Sequence, residues 1–156
     1  CGCGGGANIK TLLKLCPKGK VQGIDYSAVS VEKARKVNAG AIAAGRCTVQ
    51  QASVAELPFE AEQFEVVTAF ETVYFWPELV QNFREVYRVL KPGGVFFICN
   101  EANGETAKDD KWTQIIKGMT IYTDTALKTY LEQAGFCKIL SHKNKKGWLC
   151  VTAQKR

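Results

Sequence analysis

The chain has 156 residues, of which 46% are hydrophobic and 23% are charged, and its formal net charge at pH 7 is +6. This size and composition are ordinary for a globular protein with one core. No apolar run approaches the roughly 18 residues that a membrane span needs, and no basic stripe carries the aromatic residues that single-stranded nucleic acid prefers. We therefore predict neither a membrane partner nor a nucleic-acid partner.

Cysteine usage indicates the redox compartment. Seven cysteines occur, none of them in a C-x-x-C pair, and several lie in apolar runs such as VFFICN and WLCVTA. A buried free cysteine behaves as a small hydrophobe. Cys1 and Cys3 lack a second cysteine or histidine pair at zinc spacing, and His142 is the only histidine. We expect free thiols, no metal site and a reducing, cytoplasmic location.

Helix and strand patterns alternate along the first third of the chain. GANIKTLLKLC has its apolar residues on one helical face, and Pro17 and Gly19 then end the helix. KVQGID is predicted to be a short strand. Ser27 is an N-cap candidate for a helix that includes VEKARKVNAGAIAAG and ends at Gly45. CTVQQA is the next predicted strand.

The remaining segments continue the alternation. FEVVTAF has the pattern of a strand buried on both faces, and PELVQNFREVYRVL is a predicted helix that KPGG ends. After the strand GVFFICNE the pattern weakens until TDTALKTYLEQAG, a helix with Thr123 or Asp124 as its cap. FCKILSHK and WLCVTAQK form a terminal hairpin. This order predicts an α/β fold: a doubly wound, Rossmann-like, mostly parallel sheet with a terminal antiparallel hairpin.

A glycine-rich loop and a later acid suggest a site for a nucleotide-like cofactor. GCGGGA leads directly into the first helix, whose free N–H groups suit an anionic ligand. Its spacing fits both the dinucleotide fingerprint G-x-G-x-x-A and the pattern G-x-G-x-G. Asp25 ends the predicted strand KVQGID, where an acid suits the two ribose hydroxyls of an adenosine. Tyr26 is placed to cover adenine, and Ser53 and Val54 follow the next strand, where they are placed to contact the adenine edge.

The ordered set GCGGG, GIDYS, ASVAELPF, FEVVTAFE and REVYRVLKPGGVFFI resembles class I S-adenosylmethionine-dependent methyltransferases, in the branch that acts mostly on small molecules. The resemblance runs from residue 1 to about residue 100, and the terminal helix and hairpin fit it as well. It implies that S-adenosylmethionine is the cofactor and S-adenosylhomocysteine the product. It also implies that the methyl group passes by in-line displacement to a small-molecule acceptor.

The resemblance implies roles for residues that match the family's motifs. The loop residues would pack against the methionine part of the cofactor, and Asp25 would bind the ribose. Tyr26, Ser53 and Val54 would contact adenine, and Phe70 would lie near the methionine portion. The family commonly has Asp where Ser53 stands, which implies a different adenine contact here. The full cofactor-binding set is Gly2, Cys3, Gly4, Gly6, Asp25, Tyr26, Ser53, Val54 and Phe70.

No fixed catalytic motif is visible, and methyl transfer does not demand one. Candidates near the methyl group follow the FEVVTAF strand: Glu71 and Tyr74 as weak catalytic candidates, with Phe75 and Trp76 as aromatic neighbours at the rim of the crevice. Glu101 and Asn103 are further candidates. Residues 102–122 form a predicted insertion on the acceptor side, within a single domain over residues 1–156.

Two other functions stay open at this point. A nicotinamide-dependent oxidoreductase would share the glycine loop and Asp25, and Tyr87 and Lys91 have the spacing of a short-chain dehydrogenase pair. A non-catalytic cofactor-binding module would share the whole site. In the family, a central strand precedes the glycine loop, so we expect that residues 1–156 are an N-terminally truncated part of a longer chain. The acceptor and the oligomeric state are not readable from the sequence.

Overall fold

The structure is a computed structural model that describes the backbone of residues 1–156 and every side chain except those of residues 107, 108 and 110. The chain forms two compact units, Cys1–Ser53 and Val54–Arg156. Among the residues that the structure describes, none of the helices has the length and apolar character needed to cross a membrane. The prediction of a single domain over the whole chain stays a prediction.

The first unit contains three helices and a two-stranded parallel sheet. Val21 of the first strand lies opposite Cys47 of the second, and Asp25 lies opposite Gln51. Both strands therefore end at the same edge of the sheet. The elements in chain order are α1 (Ala7–Leu15), β1 (Val21–Asp25), α2 (Ala28–Val37), α3 (Ala39–Ala43) and β2 (Cys47–Gln51).

Apolar residues of α1, α2 and β2 form the core of the first unit. The buried members are Ile9, Leu13, Val31, Ala34, Cys47 and Val49. Arg46 closes the end of α1, because its guanidinium donates to the carbonyl oxygens of Leu13 and Cys16 at 3.1 and 2.7 Å. This contact fixes the chain between the first helix and β1, and so fixes the start of β1.

The second unit is built on a four-stranded sheet with the strand order β3-β4-β6-β5. Strands β3 and β4 are parallel, whereas β6 is antiparallel to both β4 and β5. The elements are β3 (Phe64–Phe70), a 3₁₀ turn (Val73–Phe75), α4 (Leu79–Val89), β4 (Leu90–Asn100), α5 (Ala107–Ile115), α6 (Asp124–Gln133), β5 (Cys137–Lys143) and β6 (Leu149–Gln154). The predicted antiparallel terminal hairpin is present.

An aromatic cluster forms the core of the second unit. Trp76 stacks on Phe96 with ring centres 6.1 Å apart, and Phe83 meets both rings edge-on. Full burial of one such side chain contributes about 1.5–3 kcal/mol. The segment after β3 is therefore anchored by Trp76 before α4 begins at Leu79.

Two predicted elements differ from the observed ones. The helix expected to run as far as Gly45 is broken at Asn38, whose side chain turns into the unit and donates to two backbone carbonyls. Strand β4 begins at Leu90, before the KPGG stretch, because Leu90 already pairs with Phe64. Gly93, with a φ of 77°, lets the extra residues bulge between that pair and the next one, Val66 with Val95.

The prediction that FEVVTAF is buried on both faces is wrong for its first half. Glu65 is exposed, and 55% of the Val66 surface is exposed. Within the described residues β3 has a strand partner on one side only, β4, and the pairing is irregular between Phe64 and Val66. The second half, with buried Val67 and Ala69, fits the expectation.

Candidate functional site

The glycine loop of the first unit is a compact turn held against the end of β1. Gly2, Gly4 and Gly6 have φ angles of 68°, 47° and 83°, a region that favours glycine. The N–H of Gly6 donates to the carbonyl of Cys3 at 3.0 Å, and the N–H of Cys3 donates to the carbonyl of Ile24 at 2.8 Å. These hydrogen bonds hold the loop against the end of β1.

Asp25 joins this loop to the strand end. One carboxylate oxygen accepts the N–H of Gly4 at 2.8 Å, and the other accepts the N–H of Ser27 at 3.0 Å. Only 8% of the Asp25 surface is exposed. Each oxygen keeps a further lone pair, so the carboxylate can still accept hydrogen bonds from a ligand's hydroxyl groups. The structure thus brings Asp25 together with the predicted loop residues.

Two glycines of the loop serve different purposes. A Cβ on Gly4 would meet nothing within 4 Å, so its main chain is open to close approach by a ligand. A Cβ on Gly6 would lie 2.6 Å from the Asn38 side chain and 2.8 Å from Cα of Ala34. Gly6 is therefore a packing requirement, whereas Gly4 provides access.

Asn38 is a site residue that the sequence analysis missed. Its buried side-chain amide donates to the carbonyl oxygens of Gly6 and Ala34 at 3.0 and 2.9 Å. The Gly6 carbonyl also accepts the N–H of Lys10 in the first turn of α1. Asn38 thus fixes the point where the loop becomes a helix. The break in a continuous helical pattern at an asparagine was the only available signal.

The predicted adenine-contacting residues of the first unit lie at the carboxyl ends of its strands. Tyr26 is 78% exposed. Its main-chain carbonyl accepts a hydrogen bond from the side-chain amide of Gln51 at 2.9 Å. The N–H of Ala52 donates to the carbonyl of Asp25 at 3.0 Å, so the exposed Ser53 directly follows the paired strand ends.

Val54 is the first residue of the second unit and is half-buried. Phe70 ends β3, where it lies opposite Cys99 of β4. The Phe70 ring contacts Phe97 edge-on with 5.6 Å between ring centres. Glu71 follows with a φ of 56°, uncommon for a residue with a side chain. Its N–H still bonds the Cys99 carbonyl at 2.9 Å, so the chain leaves the sheet immediately after this residue.

The Glu71 carboxylate faces two polar partners although part of its side chain is exposed. It accepts the N–H of Glu101, and the Tyr74 hydroxyl lies 3.4 Å away. Burial of this end of the side chain raises the pKa of the Glu71 carboxyl, and the charge of Glu101 adds to that rise, whereas the two hydrogen bonds oppose it. A carboxyl with a raised pKa is a suitable proton acceptor.

The aromatic residues after Glu71 divide between core and surface. Trp76, expected at the crevice rim, belongs to the aromatic core, since it stacks on Phe96. Phe75 is 45% exposed and stays available to a ligand. Asn103 is buried and holds the β5–β6 turn through the carbonyl of Gly147 at 3.2 Å. Glu101 is exposed.

Two further candidates from the sequence are a metal site and the dehydrogenase-like pair Tyr87 and Lys91. Among the described side chains, no group of three or more His, Cys, Asp or Glu residues is placed to hold a metal ion. Tyr87 lies on α4 with its ring against Phe136, whereas Lys91 lies on β4 and pairs with Glu65. These two residues therefore belong to different elements and have separate structural partners.

The chain matches the sequence family described as "Methyltransferase domain" over residues 1–98. It is 30% identical over 97 residues to cycloartenol-C-24-methyltransferase 1 of Oryza sativa subsp. japonica, covering 62% of this chain and 28% of that protein. It is 34% identical over 102 residues to demethylmenaquinone methyltransferase of Symbiobacterium thermophilum, covering 65% of this chain and 40% of that protein. The chain thus spans well under half the length of these two relatives.

A solved structure gives the fold. The chain superposes on an S-adenosylmethionine-dependent methyltransferase of Aquifex aeolicus with a TM-score of 0.84 and 20% identity, covering 99% of this chain and 79% of that one. The predicted α/β fold is confirmed by this likeness. At this level of identity, the comparison carries no information about the substrate.

Replacing Asn38 with alanine should weaken binding of S-adenosylhomocysteine about fivefold, because the substitution removes the hydrogen bond that holds the loop at Gly6, and one such bond contributes about 1 kcal/mol. Calorimetric titration measures the affinity. Asn82→Ala is the matched control, since Asn82 is also a buried asparagine that donates to a backbone carbonyl, that of Pro77. We expect both variants to have a lower Tm and only Asn38→Ala to lose affinity. Equal affinities would contradict the role of Asn38.

Glu71→Gln should change how stability depends on pH. The folded-state pKa of Glu71 lies above its ordinary value of 4.5, so the native state favours the protonated carboxyl. The stability that this group contributes is present below pH 4.5 and is lost as the pH rises through the raised pKa. Urea unfolding at pH 4 and pH 7 should show the variant gaining on the wild type at the higher pH. A pH-independent difference would contradict the raised pKa.

Proposed function

The chain belongs to the class I S-adenosylmethionine-dependent methyltransferases, and we propose that it transfers the methyl group of this cofactor to a small-molecule acceptor. The match of the methyltransferase domain over residues 1–98 carries the proposal. The names of two relatives support the acceptor class, because they specify cycloartenol and demethylmenaquinone, both small molecules.

The first unit fits the cofactor by its own geometry. Asp25 offers free lone pairs for the two ribose hydroxyls, and the open space at Gly4 admits a ligand against the main chain. The first turn of α1 has no side-chain cap and no acidic residue, so its N–H groups suit a carboxylate. We propose that these groups hold the ribose and the methionine part. Exposed Tyr26 would lie against adenine, with Ser53 and Val54 at the adenine edge.

When bound, S-adenosylmethionine supplies a methyl group on a sulfonium, which is already a good leaving group. Alignment of the acceptor and exclusion of water are therefore the main tasks of the protein. We propose that Phe70 lies near the methionine portion and that exposed Phe75 supplies an apolar surface for the acceptor. Where the acceptor atom loses a proton, Glu71 is the proposed residue to take it, because its pKa is raised by burial.

The oxidoreductase alternative loses its specific support. The pair that suggested it, Tyr87 and Lys91, would need to lie on one helix, but Lys91 lies on β4 and pairs with Glu65. The glycine loop and Asp25 are common to both enzyme classes. A non-catalytic cofactor-binding module stays the second candidate, because the geometry of the loop supports binding as well as turnover.

Calorimetry with two ligands tests the cofactor. We expect the protein to bind S-adenosylhomocysteine and not NAD. Radiolabelled S-adenosylmethionine with a panel of sterol, quinol and amine acceptors then tests turnover. Binding of NAD alone would overturn the proposed function. Binding of S-adenosylhomocysteine without methyl transfer to any acceptor would favour the non-catalytic module.

Asp25→Ala tests the cofactor site directly. We expect at least tenfold weaker binding of S-adenosylhomocysteine, a change of about 1.4 kcal/mol or more, because two ribose hydrogen bonds are lost. Asp25→Asn is the conservative companion, since an amide keeps one acceptor and most of the volume, and it should lose less. An affinity equal to that of the wild type in Asp25→Ala would count against the assigned site.

A further inference from the structure

Tyr74 lies where three loop segments of the second unit meet. It is in the 3₁₀ turn Val73–Phe75, shortly after the end of β3, and only 3% of its surface is exposed. A buried hydroxyl without a partner costs on the order of 1–3 kcal/mol. The partners of this hydroxyl therefore show what the residue holds together.

The first partner is the segment that follows β4. The Tyr74 hydroxyl oxygen accepts the N–H of Ala102 at 2.9 Å, and the carbonyl oxygen of Ala102 lies 3.3 Å from it. Ala102 is buried, so its main-chain groups have little access to water and depend on an internal partner. The hydroxyl thus lies within hydrogen-bond distance of the peptide groups on both sides of this residue.

The second partner is the Glu71 carboxylate, whose oxygens lie 3.4 and 3.5 Å from the same hydroxyl. A phenol has one proton, so it donates either to Glu71 or to the carbonyl of Ala102. An ionised carboxylate is the stronger acceptor. The direction of the phenol proton therefore follows the charge on Glu71, and the N–H of Ala102 is held in either case.

The third partner is reached through the main chain. The carbonyl oxygen of Tyr74 accepts the N–H of Thr120 at 2.9 Å. Thr120 precedes α6 and lies in the region that was predicted to be the acceptor-side insertion. Tyr74 thus connects the residues that end β3, the residues that follow β4 and the residues that lead into α6.

We propose that Tyr74 is a positioning residue: it holds these three segments in fixed register and orients the Glu71 carboxylate, without touching the reacting atoms itself. Its importance for catalysis rests on the proposed function, whereas the contacts themselves form without a substrate. The weak catalytic role that the sequence suggested for Tyr74 is replaced by this one, because its hydroxyl is already engaged by main-chain groups.

Tyr74→Phe tests the proposal, because it removes the hydroxyl and keeps the ring. NMR measures two quantities in the protein without ligand: the amide hydrogen exchange of Ala102 and the pH titration of the Glu71 side-chain carboxyl. We expect exchange at Ala102 to become at least tenfold faster. The Glu71 pKa should rise further, since the phenol hydrogen bond lowers it in the wild type.

Two variants serve as controls. Tyr130→Phe removes a phenol from α6, where the Tyr130 ring contacts Tyr122 edge-on, and it should leave both quantities unchanged. Glu71→Gln identifies the carboxyl signal and should keep slow exchange at Ala102, because the hydroxyl still accepts that N–H. Glu101 and the Cys99 thiol also interact with Glu71, and both residues are unchanged in Tyr74→Phe, Tyr130→Phe and Glu71→Gln.

An Ala102 exchange rate in Tyr74→Phe equal to that in Tyr130→Phe would overturn the proposal, and so would an unshifted Glu71 titration. If Tyr74→Phe does not fold, amide hydrogen exchange of Ala102 in the wild type and in Glu71→Gln decides. Slow exchange in both supports the proposal, whereas exchange as fast as in an unstructured peptide in either one overturns it. The binding of S-adenosylhomocysteine by the wild type tests the proposed function separately.

Discussion

The carboxylate of Asp25 is the constraint on which the first unit's site depends. It accepts one N–H from the glycine loop and one from the turn into α2, so a single side chain connects the loop, the end of β1 and the start of the next helix. An acid here is needed for the protein's own structure before any ligand arrives. The same oxygens are then available, already oriented, to a ligand with paired hydroxyls, which lowers the cost of ordering the site on binding.

Asn38 and Ala34 complete this arrangement from the other side of the loop. They contact Gly6 so closely that no side chain fits there, and the Asn38 amide satisfies the Gly6 carbonyl. The loop is thus held by a carboxylate at Gly4 and by an amide at Gly6. Gly4, between Cys3 and Gly5, is the position where the main chain is exposed to open space. Rigid support on both sides and access in the middle are what a cofactor loop requires.

The second unit uses a carboxylate differently. Glu71 also follows a strand, but its backbone is left-handed and its oxygens face the N–H of Glu101 and the phenol of Tyr74. Burial raises the pKa of the Glu71 carboxyl. The carboxylate of Asp25 accepts two backbone N–H groups. The proposed methyl transfer needs alignment more than a fixed base, and the polar groups around Glu71 mostly bond main-chain groups.

Much of the fold could be predicted, because helices, strands and turns follow from local patterns. The helix that starts at Ala7, the N-cap at Ser27, the cap at Thr123 and the terminal hairpin all depend on residues within a few positions of one another. The glycine loop and Asp25 were also predicted, from spacing and from resemblance to a family. The prediction of one continuous helix was wrong where a contact with a distant residue sets the helix end. The helix breaks at Asn38, whose side chain donates to the carbonyl of Gly6.

The sequence by itself determined the class of fold, the order of the elements, the glycine loop and the acid that serves it, since periodicity, capping and turn chemistry are short-range. Only the tertiary structure decided which polar and aromatic residues lie at the candidate site. Trp76 went to the core and Phe75 to the surface although they are neighbours. The roles proposed for Asn38 and Tyr74 depend on partners 32 and 28 residues away. A hydrogen bond to a distant peptide group has no signature in local sequence, because it depends on where folding brings that group.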